Sequence, residues 1–448
     1  MDLWRRLPAF AACVAFGATG CMPNVPARLR RASSDPFQAI VYATADGGTR
    51  PEPTSGTLTL AAAFELALSR SEQLSLADCD VIEADIRRHG AWDAITPDVS
   101  LTATGILQRE QTAGMNVLVP GNQLIGGALI QQPLFRRGVF AAHTAAERGH
   151  ESAQATRRRA REQLARDVAE VFITVLRSRK LLELAGTAVG RAKTQHELAV
   201  GRVKAGQALK NAELLALIDL RRAELQAVAA ERDVEAASAA FARLVGQAPP
   251  ALELPATPPL PAPERAIALA RKRSDLRALE LAAAAASAEE TAAAGKRWWP
   301  RLDLEAGVQV FRPEVLNNSV DWSIVGRLTV PLLQRGTELT ELALRQNAVH
   351  AAALTLEAQK KIVVEEIERA AIRVASAAKV AGLAQQQLEA AREHYKLVDK
   401  QVRLGAITFL EVTNAQAVLV EAENAFEIAS MDRIIAAYDY RYAIGDSE

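Results

Sequence analysis

Residues able to perform acid–base, nucleophilic or metal chemistry are scattered along this 448-residue chain. No H-E-x-x-H, G-x-x-x-x-G-K or G-x-S-x-G pattern occurs. Its carboxylates mostly lie one helical turn from a Lys or Arg, which is typical of solvated helix faces. The histidines are isolated from one another along the sequence: His89, His143, His150, His196, His350 and His394. The sequence therefore predicts neither catalysis nor a bound cofactor or metal.

The charge balance argues against a nucleic-acid-binding protein, and the cysteine content argues against a disulfide-rich or zinc-binding protein. Lys+Arg and Asp+Glu are equal at 53 each, so no net field favours nucleic acid. The run Arg157-Arg158-Arg159 is interpreted as a solvated helix face. The three cysteines, Cys13, Cys21 and Cys79, form neither a disulfide framework nor a zinc pattern.

The N-terminus has the features of a bacterial export signal, predicted over residues 1–20. Arg5-Arg6 precede a short apolar run that is too short to span a membrane. The small residues Ala18-Thr19-Gly20 resemble a lipobox, with Ala18 where leucine is usual, so we expect lipid on Cys21. The alternative is cleavage nearby, with Cys21 an ordinary thiol. Residues 21–56, rich in Pro, Ser, Arg and Gly, are predicted to form an extended tether.

A very long helix is predicted from Val139 to Val203. No proline occurs between Pro133 and Pro249, and apolar residues recur at alternating steps of three and four. That spacing is the seam of a coiled coil. The seam residues are Leu164, Val168, Val171, Val175 and Leu182, interrupted by Ser178.

The same landmarks occur again in the second half of the chain. Pro331-Leu332-Leu333 repeats Pro133-Leu134-Phe135, and a second seam follows. We infer a tandem duplication: a first repeat at 57–248, a proline-rich linker at 249–263 and a second repeat at 264–448. The second seam consists of Val363, Ile367, Ala370, Val374 and Ala377.

Each half also contains two segments that are predicted to be strands; three of them show period-two alternation, and Asn122 to Leu134 is apolar and glycine-bearing with a weaker signal. They are Val99 to Leu107, Asn122 to Leu134, Leu302 to Val310 and Trp322 to Val330. Turn-rich loops are predicted around Thr112-Ala113-Gly114 and from Pro313 to Asn318. About ten residues, with one apolar and one polar face, is the length and pattern of a tilted transmembrane strand.

Four such strands cannot close a barrel, because the smallest transmembrane barrels have eight. A homo-oligomer solves the problem, and three chains would supply twelve strands. The alternative is a soluble two-hairpin sheet, but its open edges are unfavourable.

Glycines mark the ends of the helices. Gly206 and Gly405 follow the long helices, and return helices of about 36 residues are predicted to start near Leu209 and Thr408. Single shorter helices are predicted before the strands, at Leu60 to Asp93 and Glu264 to Arg297.

The duplicated strand-and-helix order, with the segment Gly405 to Gln416 (Gly-Ala-Ile-Thr-Phe-Leu-Glu-Val-Thr-Asn-Ala-Gln), resembles the TolC-type outer-membrane efflux proteins. The resemblance covers about Thr57 to Gly445. It implies an α+β membrane protein: a homotrimeric twelve-stranded barrel in outer-membrane lipid, with four strands per chain, continued by a periplasmic coiled-coil tunnel. A periplasmic adaptor and an inner-membrane pump are the implied partners, and nucleic acid is not.

The resemblance also implies roles for residues at the helix ends. The expected entrance gate is Glu411, with Asn414 where some members carry a second acid; an ordinary surface position remains the alternative for Glu411. The expected adaptor-docking tips are Val203, Lys204, Ala205, Gly206, Arg403, Leu404 and Gly405.

The leading hypothesis is therefore a passive duct that exports small toxic molecules or drugs. One alternative is the same duct in one-step (type I) protein secretion. A second, from another class, is a periplasmic coiled-coil scaffold or adaptor without a pore.

Overall fold

A computed structural model describes residues 57–107, 111–113, 117–119, 122–261, 263–313, 319–330, 336–403 and 409–446. These residues divide into two compact units. The strand unit comprises the described residues of Asp78–Thr156 and Asp275–Ala358, and the helical unit comprises 57–77, Arg157–Ser274 and 359–446. The predicted signal peptide, tether and Cys21 lie outside the described residues.

Eight helices occur in the described ranges. In chain order they are α1 Leu60–Arg70, α2 Glu72–Gly90, α3 Gly138–Lys204, α4 Lys210–Val245, α5 Pro263–Ala270, α6 Ser274–Trp298, α7 Thr337–Arg403 and α8 Phe409–Ile444. Both predicted long helices are confirmed, and α3 and α7 contain 67 residues each. The return helices α4 and α8 contain 36 residues each. These equal lengths support the duplication, which stays a prediction.

All four predicted strands are confirmed in the strand unit. They are β1 Asp98–Leu107, β4 Asn122–Phe135, β5 Arg301–Pro313 and β6 Ser319–Thr329. They form one antiparallel sheet in the order β1-β4-β5-β6, so β4 and β5 join the two hairpins. The prediction of a loop around Thr112 is wrong in part, because β2 Gln111–Ala113 pairs with β3 Val117–Val119. Thr112 and the Val-Leu-Val segment of β3 are residue types that favour strands.

The register aligns the two faces of the sheet across all four strands. Leu101 pairs with Ala128, Ala128 with Val308 and Val308 with Trp322, which makes one apolar row. The adjacent row, on the opposite face, is Thr102, Gly127, Gln309 and Asp321. A slip of one residue would exchange these faces, so the apolar pattern fixes the pairing.

The core of the helical unit lies where α1, α3 and α4 pack together. Phe172 and Phe241 are fully buried, with ring centroids 6.3 Å apart. The predicted seam of α3 supplies Leu164, Val168 and Val175 to this cluster, with Val171 half-buried beside it. In α7, Val363 and Ala370 are buried and the other three seam residues are half-buried. The seam positions are thus the ones that pack, while the coiled coil between chains remains a prediction.

The prediction of single helices at Leu60 to Asp93 and Glu264 to Arg297 is wrong. The first is divided at Ser71, whose backbone N–H caps α1 through Ala67 O and whose hydroxyl accepts from the Leu74 N–H at 3.2 Å. A separate 3₁₀ turn covers Asp93–Ile95. The second is divided at residues 271–273. There the buried Arg273 side chain leaves the helix direction to donate to Glu366 Oε2 at 2.8 Å. Tertiary hydrogen bonds have overridden helix propensity at this break.

Candidate functional site

One face of the four-stranded sheet is an exposed apolar surface. Leu101 is 83% exposed and Trp322 69% exposed, although both lie in the centre of their strands. Other exposed apolar side chains on this face are Val99, Ile130, Val308, Val310, Val320, Ile324 and Leu328. An apolar surface that is continuous across four strands requires a cover, which for transmembrane strands is lipid.

The opposite face of the sheet carries polar groups. Arg327 Nη2 donates to Glu305 Oε2 at 2.9 Å between neighbouring strands, and Arg136 Nη2 donates to Asp303 Oδ1 at 3.2 Å. Apolar side chains also occur on this face: Ile125 and Leu129 of β4 are half-buried, and Val325 of β6 is 44% exposed. One apolar and one polar face is the arrangement expected of strands between lipid and a wet lumen.

The outermost strands of the sheet, β1 and β6, are its two edges. Within the described residues, each has a strand partner on one side only. Unpaired edge N–H and C=O groups are costly in a membrane and attract further strands in water. Both edges of the sheet are therefore unpaired among the described residues.

The first predicted docking tip joins α3 to α4. Gly206 has φ +73°, its N–H donates to Val203 O at 3.1 Å, and the Gln207 N–H donates to Arg202 O at 2.8 Å. These two bonds are a Schellman motif, which stops the helix at Lys204. Lys204, Ala205 and Gly206 are exposed and Val203 is half-buried.

The second predicted tip follows α7, whose last residue is Arg403. Arg202 Nη2 donates to Val402 O at 2.9 Å, so the C-terminal ends of α3 and α7 lie side by side. Leu404 and Gly405 lie outside the described residues. The structure thus brings the two long-helix ends together but does not test their role.

The predicted gate residues lie on one face of the first turns of α8. Glu411 and Asn414 are both exposed. The next residues along the chain, Val412 and Ala415, are buried in a cluster with Val398 and Val402 of α7. The helix is therefore oriented by its apolar face, and Glu411 stays on the open side.

Ion pairs between α3 and α8 were not predicted from the sequence. The Arg191 guanidinium donates two hydrogen bonds to the Glu423 carboxylate, at 3.1 and 3.0 Å. Glu423 is 6% exposed. Asp439 accepts from Arg166 at 2.8 Å and from Arg373 of α7 at 3.0 Å. The sequence carries no local signal for these pairs, because their partners are far apart along the chain.

Burial also raises the pKa of two carboxylates along α3 and α8. It raises the pKa of Asp167, which the adjacent Arg166 guanidinium partly offsets. Burial likewise raises the pKa of Glu427, against the attraction of Lys180. Both shifts follow from moving a charge out of water, and no catalytic geometry accompanies them.

Two further properties concern the described part of the chain. It contains no cluster of three or more His, Cys, Asp or Glu side chains that would hold a metal ion. None of its helices combines the length and apolarity needed to cross a membrane.

The structure combines a sheet that has one exposed apolar face with two pairs of 67- and 36-residue helices. The family model described as "Outer membrane efflux protein" matches residues 63–247 and 267–445. The chain therefore belongs to the outer membrane efflux protein family, whose members are transport ducts and not enzymes. The two matched segments correspond to the two halves of the chain.

Solved structures show the same fold. A membrane protein from Pseudomonas aeruginosa is 21% identical, with a TM-score of 0.78 over 86% of this chain and 93% of its own. The outer membrane protein VceC from Vibrio cholerae is 18% identical, with a TM-score of 0.76 over 86% and 96%. The open-state outer membrane channel MtrE from Neisseria gonorrhoeae is 20% identical, with a TM-score of 0.72 over 86% and 88%. No curated protein matches the sequence.

Proposed function

We propose that three copies of this chain form a twelve-stranded barrel in the outer membrane, continued by a helical tunnel in the periplasm. The observation that carries this proposal is the exposed apolar row from Leu101 to Trp322, on a sheet whose edges are β1 and β6. Joining β1 of one copy to β6 of the next satisfies both edges and places the apolar face against lipid.

The assembled duct carries small toxic molecules or drugs to the outside, in series with a periplasmic adaptor and an inner-membrane pump. Family membership supports transport, and the exposed tip at Lys204 to Gly206 supports docking. The polar face, with Arg327 and Glu305, lines the wet lumen. The pore-free scaffold alternative does not fit an efflux family.

The entrance of the duct is formed by three copies of Glu411, with Asn414 one turn further along α8. Their exposure on the side of α8 opposite Val412 supports this placement. Converging carboxylates favour cations that enter the pore.

The assembly is tested by cysteine cross-linking in a Cys79→Ser background. Residues 101–105 of β1 are scanned one at a time against Ile324→Cys in β6. We expect oxidation to give covalent dimers and trimers at one register. A matched control pairs Ile324→Cys with Ala128→Cys in the central strand β4, and gives no ladder. Monomers at every β1 position would refute the barrel.

Transport is tested in a host that lacks its own export channels but supplies an adaptor and a pump. We expect expression of the chain to raise resistance to toxic small molecules. Secretion of a polypeptide with unchanged resistance would instead favour the type I alternative.

The lipid anchor at Cys21 is a separate part of the proposal. The small residues before Cys21 support it, and a lipidated N-terminus adds membrane affinity. The intact mass of the mature protein should include diacylglycerol on Cys21. Normal processing of Cys21→Ala, with no such mass in the wild type, would refute it.

A further inference from the structure

The strand unit contains a cavity of about 830 Å³ lined by α2, α3, α6 and α7. Its floor consists of small side chains, including Ala84, Ala91, Ala142, Ala146, Ala285 and Ala292. Cavities of this size hold small molecules, and an alanine floor presents an apolar surface without filling the space. The cavity is thus suited to an apolar group.

The rim of the cavity is rich in arginine. Four of its five arginines have a carboxylate partner: Arg87 with Glu83, Arg136 with Asp303, Arg301 with Glu338 and Arg345 with Glu289. Arg137 is the exception, since no carboxylate in the described ranges lies within 4.0 Å of its guanidinium. Arg137 is therefore the cavity-lining arginine without a carboxylate partner among the described residues, although Glu289 and Glu341 also line the cavity.

The geometry of Arg137 and Arg136 leaves hydrogen-bond donors available. The Arg137 guanidinium lies 3.7 Å from the centroid of the Trp299 ring, and stacking on an aromatic face leaves the in-plane N–H groups free to donate. Arg136 Nε is buried and has no hydrogen-bond partner. A buried donor without a partner costs free energy that an acceptor recovers.

We propose that this cavity binds an amphiphile with one anionic headgroup, such as a phosphodiester or a carboxylate. The headgroup accepts hydrogen bonds from Arg136 and Arg137, and the apolar part lies on the alanine floor. Gly138 and Val139, the first residues of α3, also line the cavity, so the positive end of that helix adds to the same potential. The site lies within one chain and goes beyond export, because it requires neither the trimer nor the tunnel.

Two sources supply this chemistry, a membrane phospholipid and an amphiphilic cargo. Three probes distinguish them on the purified full-length protein in non-ionic detergent, by native mass spectrometry. Phosphatidylglycerol carries the phosphodiester, dodecanoate is a soluble carboxylate, and diacylglycerol has the acyl chains without an anion. Tighter binding of phosphatidylglycerol indicates a lipid site, and tighter binding of dodecanoate indicates a cargo site.

Two variants test the site by independent routes. Arg137→Gln removes the charge, and Ala142→Leu fills the floor. Arg137→Gln should weaken binding of the anionic probe by about tenfold or more, since a charge-assisted hydrogen bond contributes that much. Ala142→Leu should weaken it as well, because the larger side chain occupies the space that the apolar part of the ligand needs. The matched controls are Arg148→Gln and Ala141→Leu, on the same helix but not lining the cavity, and they should bind as the wild type does.

The proposal is overturned if diacylglycerol binds as well as both anions do. It is also overturned if each folded variant binds the anionic probe as tightly as its control. If one variant does not fold, the other decides, because charge and volume are changed separately.

Discussion

The buried ion pair between Arg191 and Glu423 should be the strongest single polar link between α3 and α8. The Glu423 side chain is 8% exposed and that of Arg191 is 26% exposed. Glu423→Gln keeps the shape but removes one charge, leaving Arg191 without its counter-ion. Breaking a fully buried pair costs about 3–5 kcal/mol. Because water reaches a quarter of Arg191, we expect a smaller loss of about 2 kcal/mol, comparable with one charged hydrogen bond.

The loss can be measured as a shift in Tm, followed by circular dichroism at constant detergent and protein concentration. For a unit of this size, 2 kcal/mol corresponds to a decrease of roughly 4–8 °C. Asp432→Asn, in the pair with Arg177, is the matched control, since the Asp432 side chain is 51% exposed. An exposed pair contributes about 0–1 kcal/mol, so its Tm should fall by no more than about 4 °C. If the two variants had equal Tm values, burial would not be what strengthens the Glu423 pair.

Three further predictions follow from the helical unit. Gly206→Ala should destabilise the first tip by about 1–2 kcal/mol, because the φ of +73° at this position is unfavourable for a residue with a side chain. Gly201→Ala within α3 should instead stabilise the protein by up to about 1 kcal/mol. Shifts in Tm of the same sign for the two variants would contradict this prediction. Burial raises the pKa of Asp167 in the folded protein, so ionised Asp167 destabilises the fold when the pH is above the folded-state pKa. This destabilisation disappears as the pH falls below the unfolded-state pKa, because Asp167 is then protonated in both states. Asp167→Asn should therefore raise Tm at neutral pH and leave it unchanged near about pH 3, and a gain confined to acid would refute the sign. Glu411→Gln should lower the cation preference and the divalent block of the channel in planar bilayers, with trimer yield unchanged; if the exposed Glu197→Gln had the same effect, the gate assignment would fail.

The sequence predicts the regular elements well because their signals are local and repeated. Alternation over ten residues identifies β1, β5 and β6, a weaker apolar and glycine-bearing pattern identifies β4, and a chain without proline between Pro133 and Pro249 identifies α3 and α4. Gly206 is correctly predicted to end a helix, since a left-handed residue is cheapest as glycine.

What the sequence does not predict depends on partners far along the chain. Arg and Glu are common on solvated helix faces, so nothing in the sequence distinguishes Arg191 and Glu423. Only the packing of α3 on α8 buries the Glu423 carboxylate. The arginine-rimmed cavity is likewise not predicted from the sequence, because alanines in this pattern indicate helices and do not indicate a cavity. The proposed ring of Glu411 requires other chains, so a pattern within one chain does not predict it.

The missed helix breaks and the glycines that follow α4 and α8 belong to one structural feature. Arg70, at the end of α1, donates to Gly246 O, just after α4 ends; Arg273, before α6, donates to Ala443 O at 2.6 Å in the last turn of α8. Gly246 and Gly445 have φ of +80° and +76°, and a Cβ on either would meet the side chain of its arginine. Each glycine is therefore required both for the left-handed turn and for close approach of the arginine. An arginine in a helix-like sequence does not indicate such a contact. A prediction from periodicity therefore continues the helix through the residue at which the chain turns to cap the neighbouring helix. The same arrangement in both halves supports duplication more strongly than equal helix lengths do, because it repeats a contact and not only a length.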